Sequence, residues 1–157
     1  AKAFEKNTEV KFLMIGQLQH EKYREEFKKI EAIKNLTYLG KLPIEEVNEH
    51  LSKAYLFVNT SMEGSEGFPN TYIQAWLRCV PVVALHIDPD HLIDQNKFGR
   101  RSNHFEQLVK DVNYYIENEE ERTLAGKEAQ KFALENYSTR NCKKLVRVME
   151  KLVTNIN

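Results

Sequence analysis

Long apolar runs are missing from this chain, and so is any excess of one charge. No stretch approaches the ~18 consecutive apolar residues that cross a bilayer, and the opening Ala1-Lys2-Ala3-Phe4-Glu5-Lys6 has no signal-peptide core. A cytoplasmic protein is therefore expected. Lysine and arginine number 23 against 23 aspartates and glutamates. That balance argues against a nucleic-acid partner, because such domains carry surplus cations to displace counterions from phosphates. Only two cysteines occur, Cys79 and Cys142, without CxxC spacing, which excludes a disulfide framework or a zinc site. Both read as small buried apolar residues. Prolines number four and glycines six, with no rich tract, internal repeat or low-complexity segment, so residues 1–157 are expected to form a single domain.

What is present is an alternation of short apolar runs with amphipathic stretches. Val10–Ile15 stops at Gly16 and reads as a strand buried on both faces of a parallel sheet. Tyr23, Phe27 and Ile30 fall at helical spacing, and Leu36–Gly40 follows as a second strand. Pro43 opens a helix with Glu45 and Glu46 at its positive end and an inward stripe of Val47, Leu51 and Ala54. Tyr55–Asn59 is the third strand, Pro69 to Leu77 the next helix, and Val80–Ala84 the fourth strand. The remainder is helical, with stripes at Phe105, Leu108, Val109, Val112 and Ile116 and at Cys142, Leu145, Val146, Met149, Leu152 and Val153. A weakly patterned helix over Glu119–Glu135 lies between them. The pattern predicts a Rossmann-like three-layer α/β/α fold with a parallel sheet, whose ligands bind beyond the carboxyl ends of the strands. Residues 1–7 read as the tail of a helix, and a sheet of this kind has another strand before it, so the chain is expected to be a fragment of a larger protein.

The segment that carries chemistry runs from Asn59 to Trp76, from a strand's carboxyl end through a glycine-containing turn into a helix. Amides around Asn70 and Thr71, at the positive end of the helix dipole, suit an anion such as phosphate. Gly64 and Gly67 let the backbone approach it closely. Glu66 at the rim and Gln74 further along can accept or donate hydrogen bonds to ligand hydroxyls. The structural alternative makes Glu66 a solvated turn residue and Asn70 a helix cap.

Glu66-Gly67-Phe68-Pro69-Asn70, then Gln74-Ala75-Trp76 and Val80-Pro81-Val82-Val83, resemble the C-terminal, nucleotide-sugar-binding half of GT-B glycosyltransferases of family 4, and the likeness covers nearly the whole chain. The resemblance implies a retaining transferase of the hexosyltransferase type, in cell-surface polysaccharide biosynthesis. It would move sugar from a nucleoside-diphosphate sugar to an acceptor hydroxyl with no metal and no further cofactor. It implies that Glu66 faces the transferred sugar, that amides near Asn70 and Thr71 hold the distal phosphate within a site made by Gly67, Phe68 and Pro69, and that Gln74 meets the ribose. Its partners would be the nucleotide sugar and an N-terminal acceptor-binding domain of the same polypeptide, the isolated half being inactive, with peripheral association at the inner membrane face. Three departures stand out. Gln74 replaces the family's second Glu; Cys79 stands where the family usually has Gly before the Val80-Pro81-Val82-Val83 strand, and Glu63-Gly64-Ser65 adds loop length before the motif; and the diphosphate-clamping Arg and Lys of an earlier strand have no counterpart before Phe4. Other readings are a non-catalytic nucleotide-sugar module or a Rossmann-like interaction domain.

The His86-Ile87-Asp88-Pro89-Asp90-His91 run has metal-site composition but reads as a turn near the donor cleft. Ser61 lacks a nucleophile elbow, and Gly64-Ser65-Glu66-Gly67 matches neither a P-loop nor a dinucleotide fingerprint. Tyr72, Ile73 and Trp76 read as core. The basic residues of 97–101 and 140–144 read as solvated surface, balanced by nearby acids.

Overall fold

The computed structural model describes residues 1–18 and 23–154, and these fall into two compact units, Ala1–His50 and Leu51–Asn157. In the first unit, a 3-10 turn at Lys2–Phe4 stands where the tail of a longer helix was expected. Strand β1 (Phe12–Ile15) then pairs in parallel with β2 (Leu36–Gly40), Phe12 opposite Leu36 and Met14 opposite Tyr38. Helix α1 (Arg24–Glu31) makes the crossover, and Phe27 meets the Tyr38 ring edge-on at 4.5 Å. The expectation that β1 is buried on both faces fails: Leu13 is 52% and Met14 40% exposed. These two strands form a sheet of their own, and a strand is buried on both faces only where other elements are layered on each of them.

Helix α2 (Ile44–Ser52) starts directly after Pro43, whose carbonyl accepts the Val47 N–H at 3.1 Å. Glu45 and Glu46 occupy its first turn, as the dipole favours.

The second unit is built on a three-stranded parallel sheet in the order β3 (Phe57–Asn59), β4 (Val82–Ala84), β5 (Gly99–Arg101). Central β4 is completely buried, which is why Val-Val-Ala shows no alternation. Helix α3 (Asn70–Trp76) lies between β3 and β4, and α4 (Leu92–Asn96) between β4 and β5. Three helices follow: α5 (Phe105–Glu117), α6 (Glu119–Asn136) and α7 (Arg140–Thr154). Trp76 is fully buried and its ring meets those of Phe68, Tyr72, Phe98 and Phe132 at 5.4–6.1 Å. The weak pattern of α6 has a simple cause: its inward stripe is Ala125, Ala129 and Ala133, small residues that let the helix pack closely while scoring as barely apolar.

Strand β5 and helix α4 were not foreseen, and residues 97–101 are not merely solvated surface. Phe98 and Gly99 are buried, and Arg100 points its guanidinium over the Tyr114 ring at 3.8 Å and towards Asp111. Asp111, 3% exposed, accepts hydrogen bonds from Ser102 Oγ (2.7 Å) and Gln107 Nε2 (2.9 Å) as well. A buried carboxylate with three donors is satisfied, and here it fastens β5 to α5.

Both cysteines are exposed, contrary to expectation. Cys79 has φ +58°, because it sits just past the end of α3 in a Schellman turn: the Val80 N–H reaches the Ala75 carbonyl and the Cys79 N–H that of Trp76, both at 3.0 Å. Helix α6 packs so closely on this turn that a Cβ at Gly126 would lie 2.0 Å from the Cys79 carbonyl oxygen. A left-handed conformation costs an ordinary L-residue about 1–2 kcal/mol, partly offset by the greater entropy glycine loses on folding. Cys79→Gly is accordingly expected to stabilise the chain by about 0.5–1 kcal/mol, read from the urea midpoint at unchanged slope.

Candidate functional site

The loop from β3 to α3 is organised from its first residue. Asn59 ends β3 with its side chain buried, and its Oδ1 accepts the Ser61 N–H at 2.9 Å, an Asx turn that bends the chain out of the sheet. Ser61 Oγ then donates to Glu66 Oε1 at 2.6 Å. Between them the Met62 carbonyl accepts from both the N–H and the hydroxyl of Ser65, and Gly64 turns the chain with φ +73°. Glu66 is thus an exposed carboxylate with one oxygen anchored to its own loop, and the arrangement differs from a freely solvated turn residue.

Gly64 is accounted for by its backbone. Gly67 is not: its φ carries no such demand, and a Cβ there would meet nothing within 4 Å. Phe68 folds inward against Trp76 and Tyr137, and Pro69 is buried. Pro69, not Asn70, occupies the N-cap of α3, without a side-chain cap, and its carbonyl accepts the Tyr72 N–H at 2.9 Å. Asn70 and Thr71 are the first two helical residues, whose N–H groups precede the intrahelical ladder. Asn70 is exposed and Thr71 half-buried. Gln74 is half-buried one turn further along.

Beneath this loop, Tyr72 is fully buried and donates its hydroxyl to the Ile87 carbonyl at 2.8 Å, joining α3 to the segment after β4. Burial, helped by the charges of Glu66 and Asp88, pushes its phenol well above the ordinary tyrosine range. The folded protein therefore keeps the proton while the unfolded chain releases it near pH 10, so stability falls as pH rises through that value. Tyr72→Phe is expected to cost about 1–2 kcal/mol at neutral pH, because it leaves a buried carbonyl unpaired, and to flatten the decline in stability above pH 10. Denaturant midpoints measured at several pH values check both effects.

After β4, Asp88, His91 and Asp94 bring one ligand-type atom each within 4.8 Å of one another, whereas His86 and Asp90 stay out of the group. The Asp88 oxygens accept the Ile93 and Asp94 N–H groups at 2.8 and 3.2 Å, and Asp94 pairs with Arg101 at 3.4 Å. The chemistry visible there is capping of α4. Burial holds the Asp88 carboxyl above its usual range despite these two hydrogen bonds.

Residues 1–118 match the family model described as glycosyl transferases group 1. The chain belongs to that family. The segment matched by this group 1 glycosyltransferase model contains β1 to β5 and the whole Asn59–Trp76 loop and helix. Among solved structures, HepE of Anabaena in complex with UDP matches with a TM-score of 0.73 and 18% identity, over 97% of this chain and 43% of HepE. HepE in complex with UDP-glucose matches to the same degree. WaaG, a glycosyltransferase involved in lipopolysaccharide biosynthesis, matches with a TM-score of 0.63 and 18% identity, over 78% of this chain and 33% of WaaG. The architecture is therefore the Rossmann-like α/β fold of GT-B glycosyltransferases, and the chain spans less than half the length of these two structures. No curated protein sequence matches. Among the described residues, no helix is long and apolar enough to cross a membrane.

Within this chain of the group 1 glycosyltransferase family, the predicted residues Glu66 through Thr71 form one continuous turn into α3, with Gln74 on the same helix. Asn59 and Ser61 were missed as positioning residues. Their signal was an Asn-x-Ser sequence leaving a strand, an Asx-turn pattern whose second partner, Glu66, could be paired with Ser61 only in three dimensions.

Proposed function

We propose that this chain is the donor-binding part of a retaining glycosyltransferase that takes a sugar from a nucleoside-diphosphate sugar and passes it to an acceptor hydroxyl. An acceptor-binding N-terminal domain would complete the enzyme. The observation that carries the reading is Glu66, held by Ser61 at the mouth of a strand-to-helix turn in a chain of this family. Glu66 positions the transferred sugar. Backbone amides around Asn70 and Thr71, with the open backbone at Gly67, receive the diphosphate and stabilise the charge that grows on it as it leaves. Phe68 and Pro69 fix the turn, and Gln74 shares hydrogen bonds with the ribose hydroxyls. This reading calls for neither a metal nor a further cofactor, and it places the enzyme in the cytoplasm.

HepE was crystallised with UDP and with UDP-glucose, which makes uridine nucleotides the first to test. Calorimetric titration with UDP, GDP and ADP, followed by their sugar conjugates, is expected to show saturable binding of one nucleotide series. Gln74→Ala should weaken it about tenfold, the worth of one well-made hydrogen bond to a ligand. Failure of every nucleotide to bind, both to this chain and to a longer protein containing it, overturns the reading in favour of an interaction domain.

A further inference from the structure

Helix α6 reaches the loop that carries Glu66 through the residue at its end, Tyr137. The Tyr137 N–H donates to the Ala133 carbonyl at 2.8 Å, and its ring lies 5.3 Å from that of Phe68 and 6.0 Å from that of Phe132. At such distances aromatic pairs attract each other beyond the area they bury. Burial and the negative charge of Asp90 push the Tyr137 phenol above the ordinary tyrosine range, which sets its polar end near the segment after β4. The β3–α3 loop, the β4–α4 segment and the end of α6 therefore come together around this ring. The apolar stripe of α7 beyond it is turned to solvent, with Leu145, Val146, Val148, Met149 and Leu152 each 51–62% exposed and the side chain of Val153 outside the described residues. Lys143 and Lys144 are exposed as well, as their composition suggested.

The loop needs an attachment of this kind. Residues 62–67 are exposed, and the hydrogen bonds of Ser61 to Glu66 and of Ser65 to Met62 lie within the loop, so they set its shape and not its place on the body of the chain. Phe68 and Pro69 are the first residues after Ser61 to turn inward. Phe68 meets two rings, Trp76 at 6.0 Å and Tyr137 at 5.3 Å. Trp76 keeps its contacts with Tyr72, Phe98 and Phe132 whether or not Tyr137 is there. Tyr137 is itself 40% exposed, so deleting its ring takes more from Phe68 than from the core.

We infer that Tyr137 is a positioning residue of the donor loop, holding Phe68 and, through Phe68, the turn from Glu66 to Thr71. The inference rests on the donor-binding reading proposed above.

The experiment is nitrogen-15 relaxation of the whole chain without nucleotide, followed by calorimetric titration with UDP, GDP and ADP. The amide order parameters of Glu66, Gly67, Phe68, Asn70 and Thr71 are expected to be about 0.85 in wild type and to fall to about 0.6 in Tyr137→Leu, with those of β3 and β4 unchanged. Tyr137→Phe keeps the ring and should restore the wild-type values. Affinity for the nucleotide that wild type binds should fall about fivefold in Tyr137→Leu, and the double variant Phe68→Leu, Tyr137→Leu should bind no worse than Phe68→Leu alone. An unchanged loop in Tyr137→Leu, or losses of affinity that simply add in the double variant, overturns the inference and leaves the donor reading in place. Loosening of β3 and β4 together with the loop assigns Tyr137 to the core and overturns it too. Failure of all three nucleotides to bind, both to wild type and to a longer protein containing it, overturns the donor reading and the inference with it.

Discussion

Gly99→Ala is expected to be the most damaging single-methyl change in this chain. A Cβ at Gly99 would stand 1.7 Å from the Val82 carbonyl oxygen and 2.7 Å from its carbonyl carbon. Those atoms belong to β4, the central strand, so the clash cannot be relieved by a side chain swinging away. Val82 is itself paired with Phe57 on β3 and with Gly99 on β5. Making room means parting β5 from β4, which exposes Phe98 and Gly99 and pulls Arg100 and Ser102 off Asp111. Overpacking against an immovable backbone costs about 3 kcal/mol or more, equivalent to a fall in melting temperature of roughly 10 °C for a chain of this size. Gly67→Ala is the control, since a Cβ there meets nothing within 4 Å, and its melting temperature should stay within about 2 °C of wild type. Equal losses in the two variants would show that β5 is not packed as described.

The second large effect concerns activity. On the proposed function, Glu66→Ala in a longer protein that contains this chain is expected to lower turnover about a hundredfold, the cost of misplacing a reacting group by about an ångström. Its stability should change by less than about 0.5 kcal/mol, because Glu66 is exposed and its hydrogen bond is with the Ser61 hydroxyl. That pairing makes Ser61→Ala the informative companion. Removing a 2.6 Å hydrogen bond frees the carboxylate without deleting it, so kcat should fall about tenfold while KM for the donor stays within about twofold. A Glu66→Ala enzyme with wild-type kcat removes Glu66 from the site, and a Ser61→Ala enzyme that loses only KM assigns Ser61 to binding.

Much of the second unit could be read from residues in order. Val80-Pro81-Val82-Val83-Ala84 reads as a strand from its run of apolar residues, and β4 lies within it. Tyr72 and Trp76, one helical turn apart, read as core and are fully buried. Strand β5 escaped because Gly-Arg-Arg has the composition of solvated surface; Arg100 is held inward by Asp111 and the Tyr114 ring, which come from a helix that starts further along the chain. Cys79 was misjudged for a related reason. Residue type says buried, but the Schellman turn decides exposure, and α6 packs against that turn at Gly126.

What the sequence determined by itself was local: the order of β1 to β4 with the helices between them, and the segment that turns from β3 into α3, since each depends on neighbours a few residues away. Tertiary structure alone decided that Ser61 anchors Glu66, that Asp111 holds β5, and that the periodic stripe of α7 faces outward. A hydrophobic period shows that a helix has two sides, but which side is covered depends on whether another element lies there, and that is a property of the assembled chain.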